Sequence, residues 1–116
     1  MRCVIVDDNE AFLVDAQALL AREGIQVVGV ATTVGGALET IAACRPELAL
    51  VDIDLGSGSG FDVVRALGDA RDGVRAILIS SHAELDFAEL IEACPAVGFL
   101  SKLDLSADAI YELLGR

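Results

Sequence analysis

The chain has 116 residues, 54% of them hydrophobic, 23% charged and only 4% aromatic. That is the balance of one globular domain with a core of Val, Leu, Ile and Ala, and it excludes a disordered segment. The 19 acidic residues outnumber the 8 basic ones for a formal net charge of −11, which argues against direct binding to nucleic acid or an anionic membrane, because both need clustered Lys and Arg.

In chain order, the opening MRCVIVDD carries an apolar strand at Cys3 to Val6, too short a run for a signal peptide. No later segment approaches the roughly 20 apolar residues of a membrane span, so a cytoplasmic location is expected. Helical spacing follows at Phe12, Leu13, Ala16, Leu19 and Leu20, closed by Gly24. A second unit pairs the strand Gln26 to Val30 with a helix through Ala37, Leu38, Ile41 and Ala42, ended by Arg45-Pro46. A third strand, Leu48 to Val51, runs into DIDLGSGSG before a helix through Val63, Val64 and Leu67, closed by Gly73. The strand Ala76 to Ile79 precedes a helix through Phe87, Leu90 and Ile91 that stops at Cys94-Pro95. Val97 to Leu100 is the fifth strand, and Ser106 is placed to cap a last helix through Ile110, Leu113 and Leu114.

The strands are mostly continuous apolar runs, which suits burial on both faces. Five strand-then-helix units require parallel pairing and right-handed crossovers, hence a doubly wound α/β sheet over a single domain of residues 1–116. Cys3, Cys44 and Cys94 are far apart, with no ligand spacing, and read as small buried residues in a reducing compartment.

In such a sheet ligands bind beyond the carboxyl ends of the strands. Those ends offer Asp7 and Asp8, Asp52, Ser80 and Ser81, and Ser101 and Lys102, the only lysine in the chain. Three carboxylates without Cys or His make a hard all-oxygen site suited to Mg²⁺ or Mn²⁺ rather than zinc. Asp7 and Asp8 could instead cap the first helix. Lys102 supplies a compact charge able to reach a carboxylate or a phosphoryl oxygen, and Ser80 a hydroxyl for an oxyanion. The combination fits in-line phosphoryl transfer onto an aspartate. The GSGSG loop fails as a nucleotide cradle: no Gly-Lys-Ser/Thr follows, and the third glycine of a dinucleotide fingerprint would fall on Phe61.

The acidic pair in VIVDDNE, the aspartate ending LALVD, the glycine of SGFD, the hydroxyl in ILISS and the lysine in GFLSK together resemble the receiver domain of two-component response regulators, over the whole chain. The resemblance implies a flavodoxin-like five-stranded parallel sheet in the order 2-1-3-4-5. It implies Asp52 as phosphoacceptor, Asp7, Asp8, Asp52 and the Asp54 backbone carbonyl around Mg²⁺, and Ser80 and Lys102 on the phosphoryl oxygens. It further implies Ser80 and Phe99 as the switch pair, and Asp54 and His82 at positions that tune phosphoryl lifetime. A sensor histidine kinase is the implied donor. A homodimer or partner surface is implied on the fourth helix, fifth strand and fifth helix, including Leu85, Phe87, Leu90, Phe99 and Tyr111. Gly56 stands where the family commonly has proline, so its loop is expected to be mobile. Leu103 replaces the proline that often follows the lysine, so a trans bond is expected there.

Two rival readings accompany this one. DIDLG resembles the nucleophile motif of haloacid-dehalogenase-like phosphatases, with Asp52 as nucleophile and Asp54 as general acid, but the DD pair precedes it instead of following the lysine. A pseudo-receiver would keep the fold without taking phosphate, against which the full set of five polar residues speaks. The chain is expected to be either a stand-alone receiver or the amino-terminal part of a transcription regulator.

Overall fold

Each strand is followed by a chain segment that must return across the sheet before the next strand can pair, and the sheet is accordingly parallel throughout. The computed structural model describes residues 1–56, 58–69, 73–81 and 95–115. Strands β1 (Arg2–Val6), β2 (Gln26–Ala31), β3 (Leu48–Asp52), β4 (Arg75–Ser80) and β5 (Gly98–Ser101) lie in the order β2-β1-β3-β4-β5, every pair parallel. The described helices are α1 (Glu10–Arg22), α2 (Val34–Cys44), α3 (Gly60–Asp69) and α4 (Ala107–Leu113). The helix expected through Phe87, Leu90 and Ile91 falls outside the described residues, as do His82, Leu85 and Cys94.

Alternation along the strands divides the core in two. Cys3 and Ile5 of β1 join Leu13, Ala16 and Leu20 of α1 and Ala107 and Ile110 of α4 on one face. Val4 and Val6 join Ala37 and Ile41 of α2 and Val63, Val64 and Leu67 of α3 on the other. β3, in the middle, is buried at all five positions, which is why LALV reads as a continuous apolar run. The helices start where side chains can accept their orphan N–H groups: Thr33 Oγ1 accepts from Gly36 N at 3.0 Å and Ser106 Oγ from Ala109 N at 3.0 Å. α1 ends before Gly24, whose φ of 87° is the left-handed geometry a helix end favours, whereas α2 ends with Arg45 in that region at φ 48°.

The turn from β3 into α3 is the tightest junction. Gly60 N donates to Ile53 O at 2.8 Å, and a Cβ on Gly60 would overlap the Asp52 carbonyl oxygen. Only glycine lets α3 begin directly against the end of β3. Gly60→Ala is expected to destabilise the domain by about 1–3 kcal/mol, whereas Gly35→Ala in α2, where a Cβ meets no atom within 4 Å, should be neutral or stabilising by about 0.5–1 kcal/mol. Urea unfolding of the two variants checks this; equal midpoints would rule out the close approach.

Candidate functional site

The corner between β1 and α1 positions the acidic pair. Asp7 N donates to Ala31 O at 3.0 Å, fixing the chain end to β2. Asp7 Oδ1 then accepts from Asn9 N at 2.8 Å, and Asn9 Oδ1 accepts from Phe12 N at 3.1 Å. Asn9 therefore caps α1, not Asp7 or Asp8: a short amide reaches the third N–H of the helix, and the carboxylates are left for other work. The signal for this was the asparagine immediately before the helical spacing begins. Asp7 is fully buried and Asp8 exposed.

The other strands bring their ends to the same place. Asp52 closes β3, with Oδ1 accepting from Asp54 N at 3.2 Å, and Ser80 closes β4, buried. Lys102 follows β5 at the start of a 3-10 turn, Lys102–Asp104, in which Ser101 Oγ accepts from Leu103 N at 3.3 Å. The Lys102–Leu103 peptide is trans, as expected for a non-proline residue, and the lysine still reaches the pocket. β5 lies two strands from β3, roughly 10 Å at the usual strand spacing, so a long side chain is needed to cross the small Ser80 between them. Lys102 Nζ lies 2.6 Å from Asp7 Oδ2 and 3.2 Å from Asp52 Oδ2, and 4.5 Å from the centroid of the Phe12 ring. The Phe12 contact was missed in the sequence, where an aromatic at helical spacing reads as core.

Carboxylate oxygens of Asp7, Asp8 and Asp52 lie within 4.8 Å of one another. Three carboxylates against one ammonium leave a formal excess of two negative charges, the charge a divalent cation neutralises. Asp7 Oδ2 is buried and pairs with Lys102 Nζ at 2.6 Å. A buried carboxylate in an all-oxygen cluster that one ammonium does not neutralise fits a hard divalent cation.

Asp54 sits apart from this cluster. Its side chain is exposed and its Oδ1 accepts from Gly56 N at 2.9 Å, so the carboxylate braces its own loop, a poor posture for the general acid that the phosphatase reading requires. The same loop, expected to be mobile, is tied by Leu55 N donating to Gly58 O at 3.1 Å and by a bridge between Asp54 and Ser59. Gly56 has φ 74°, which proline, held near −65°, cannot adopt. A Cβ at Gly56 would stand 3.0 Å from Asp8 Oδ2, so the loop abuts the cluster. Phe99 is half-buried against the α2–α3 side of the sheet, while Tyr111 packs on the α1–α4 side. Phe99 and Tyr111 thus do not share one face of the sheet.

The response regulator receiver domain model matches residues 3–114. Among curated relatives, protein-glutamate methylesterase/protein-glutamine glutaminase 5 of Myxococcus xanthus is 32% identical over all of this chain, which covers 34% of that protein. The acid tolerance regulatory protein ActR of Sinorhizobium medicae is 29% identical over 97% of this chain and 58% of its own length. The chain therefore spans between about a third and three-fifths of these relatives. The receiver domain of the response regulator NarL from Mycobacterium tuberculosis superposes with a TM-score of 0.85 at 31% identity, covering 99% of this chain and 97% of that one. A Burkholderia pseudomallei response regulator, solved with a phosphorylated aspartic acid and a calcium ion, superposes at 0.84 with 26% identity over 97% of this chain and 65% of that one.

Electrostatics follow from the packing. Burial, then the charge of Asp7, pushes the Asp52 pKa up to about 6, although Lys102 opposes both. Burial works against the Lys102 ammonium, but its contacts with Asp7 and Asp52 outweigh it and its pKa is raised. Burial alone dominates at Cys3, whose thiol is pushed up to about 12 and stays unreactive at neutral pH. Because folded Asp52 holds its proton more tightly than the unfolded chain does, its contribution to stability is full below about pH 4 and lost as pH rises through about 6. Without divalent cations, Asp52→Asn should be more stable than wild type at pH 7, by up to about 3 kcal/mol, with the gap closing toward pH 4. Thermal melts across pH measure it; a gap that is absent or widens on acidification contradicts the assignment.

Proposed function

The chain belongs to the response regulator receiver domain family, and on that premise we propose that Asp52 is the carboxylate that accepts a phosphoryl group from a sensor histidine kinase. The observation that carries the assignment is the Lys102 ammonium held between Asp7 and Asp52 at 2.6 and 3.2 Å, at the end of the central strand. Asp54 N on one Asp52 oxygen and Lys102 on the other fix the plane of the carboxylate. In the transfer, an Asp52 oxygen attacks phosphorus, a new O–P bond forms, and the P–N bond to the donor's imidazole breaks, leaving its electron pair on nitrogen. Lys102 turns from Asp7 toward the phosphoryl oxygens, offsetting their charge, and Ser80 donates its hydroxyl to another of them.

Asp7, Asp8 and Asp52, with the Asp54 backbone carbonyl, are the residues proposed to hold Mg²⁺ or Mn²⁺. The bound ion would supply charge neutralisation for the incoming phosphate. The calcium ion and phosphorylated aspartic acid of the Burkholderia pseudomallei relative support this reading.

Ser80 and Phe99 are proposed as the switch that reports phosphorylation to a surface formed by the segment before β5, β5 itself and α4. Phe99 is only half-buried. That surface is where a homodimer or another partner would engage, and Asp54 and His82 are proposed to set phosphoryl lifetime. Beyond its own phosphorylation and dephosphorylation the domain is proposed to have no enzymatic activity, to touch no nucleic acid and to act in the cytoplasm; none of the described helices is long and apolar enough to cross a membrane. A transcriptional output is the favoured one, since relatives include a putative transcriptional regulator of Pseudomonas aeruginosa and the DNA-binding transcriptional activator EvgA of Escherichia coli.

Incubation with radiolabelled acetyl phosphate and Mg²⁺ tests the proposal. Wild type should take label, Asp52→Asn should take none, and Lys102→Ala should label at least about 100-fold more slowly, as loss of a pre-organised charge donor implies. Undiminished labelling of Asp52→Asn would overturn the reading.

A further inference from the structure

The corner that presents Asp7 also carries a contact that no carboxylate explains. Phe12 is fixed at its backbone by Asn9 Oδ1, whose own N–H holds Asp7, and its ring centroid lies 4.5 Å from Lys102 Nζ. The ring is half-buried and packs on the α1–α4 side of the sheet, at the edge of the pocket rather than in the depth of the core. An ammonium has three N–H donors. Among the described residues Lys102 has two carboxylate partners, Asp7 and Asp52, and an aromatic face is a surface that attracts a cation without displacing either.

We propose that Phe12 is a positioning residue for Lys102, holding the ammonium over Asp52 before and after phosphorylation and so raising the rate of phosphoryl uptake. The proposal rests on the phosphoacceptor reading of Asp52 and deepens it. When a phosphoryl group joins Asp52, Lys102 exchanges its contact with Asp7 for contacts with phosphoryl oxygens. The ring makes no directional hydrogen bond, so its contact need not break while that exchange occurs. With an aliphatic side chain instead, the lysine would hold its place only through Asp7, the partner it must leave, and Asp52, the group that reacts.

Lys102 is the only lysine, so lysine labelled with ¹³C at Cε gives one side-chain resonance that reports this contact directly. In the wild type its attached protons should be shifted upfield by the ring current. In Phe12→Leu the shift should vanish and acetyl phosphate labelling should slow about three- to tenfold, the range a partly buried cation–aromatic contact supports, in the maximal rate rather than in the saturating concentration. Phe12→Tyr, which keeps the aromatic face, should restore both, a rescue that a role in packing alone would not require. An unshifted lysine in the wild type, or a Phe12→Leu variant that labels at the wild-type rate, overturns the proposal. A shifted lysine in a wild type that takes no label would overturn the phosphoacceptor reading instead, and with it the rate effect.

Discussion

The organisation of this domain turns on one long side chain crossing a sheet. Lys102 starts beside β5 and ends between Asp52 on β3 and Asp7 beyond β1, so three strand ends that are far apart in sequence are held in one electrostatic unit. Only a parallel sheet offers that arrangement, because it sends every carboxyl end to the same edge. Only a buried setting gives it strength, because Asp7 is fully buried and Lys102 only 14% exposed. Holding three carboxylates, two of them buried, near one ammonium is unfavourable until further positive charge arrives. The pocket thus carries an excess of negative charge, and the raised pKa of Asp52 expresses that tension.

The backbone around the pocket is shaped by glycine. Gly60 lets α3 start against the Asp52 carbonyl, and Gly56 takes a φ of 74° beside Asp8. The loop expected to be mobile for want of a proline holds at Gly56 a turn that proline could not make, beside a hydrogen bond to the Asp54 side chain and the bridge from Asp54 to Ser59. The loop stands at the carboxylate cluster, so its geometry bears on access to Asp52 as well as on folding.

The fold was legible because buried parallel strands leave continuous apolar runs, and all five appear in the structure within a residue or two of their expected limits. The order 2-1-3-4-5 came from the family resemblance, not from periodicity, since apolar runs do not say which strand lies beside which. Residue types at strand ends made the site legible: carboxylates, a hydroxyl and a lone lysine are informative wherever a topology gathers them. What stayed hidden depended on side-chain direction. In DDNEAF the asparagine stands beside two aspartates that can also cap a helix, and Asn9 takes the cap and releases them. Phe12 has the spacing of a core residue, and its contact with Lys102 crosses 90 residues of sequence. The turn at Gly56 was hidden because a glycine-rich stretch is compatible with many backbone paths.

The identity of the acceptor atom is the central claim, and acyl phosphate chemistry tests it without mutation. Borohydride reduces an aspartyl phosphate to homoserine, so wild-type protein treated with acetyl phosphate, Mg²⁺ and then borohydride can be digested and mapped by mass spectrometry. The account predicts homoserine at position 52 and at no other aspartate. Homoserine at Asp7, Asp8 or Asp54, or a digest with every aspartate intact, would contradict it.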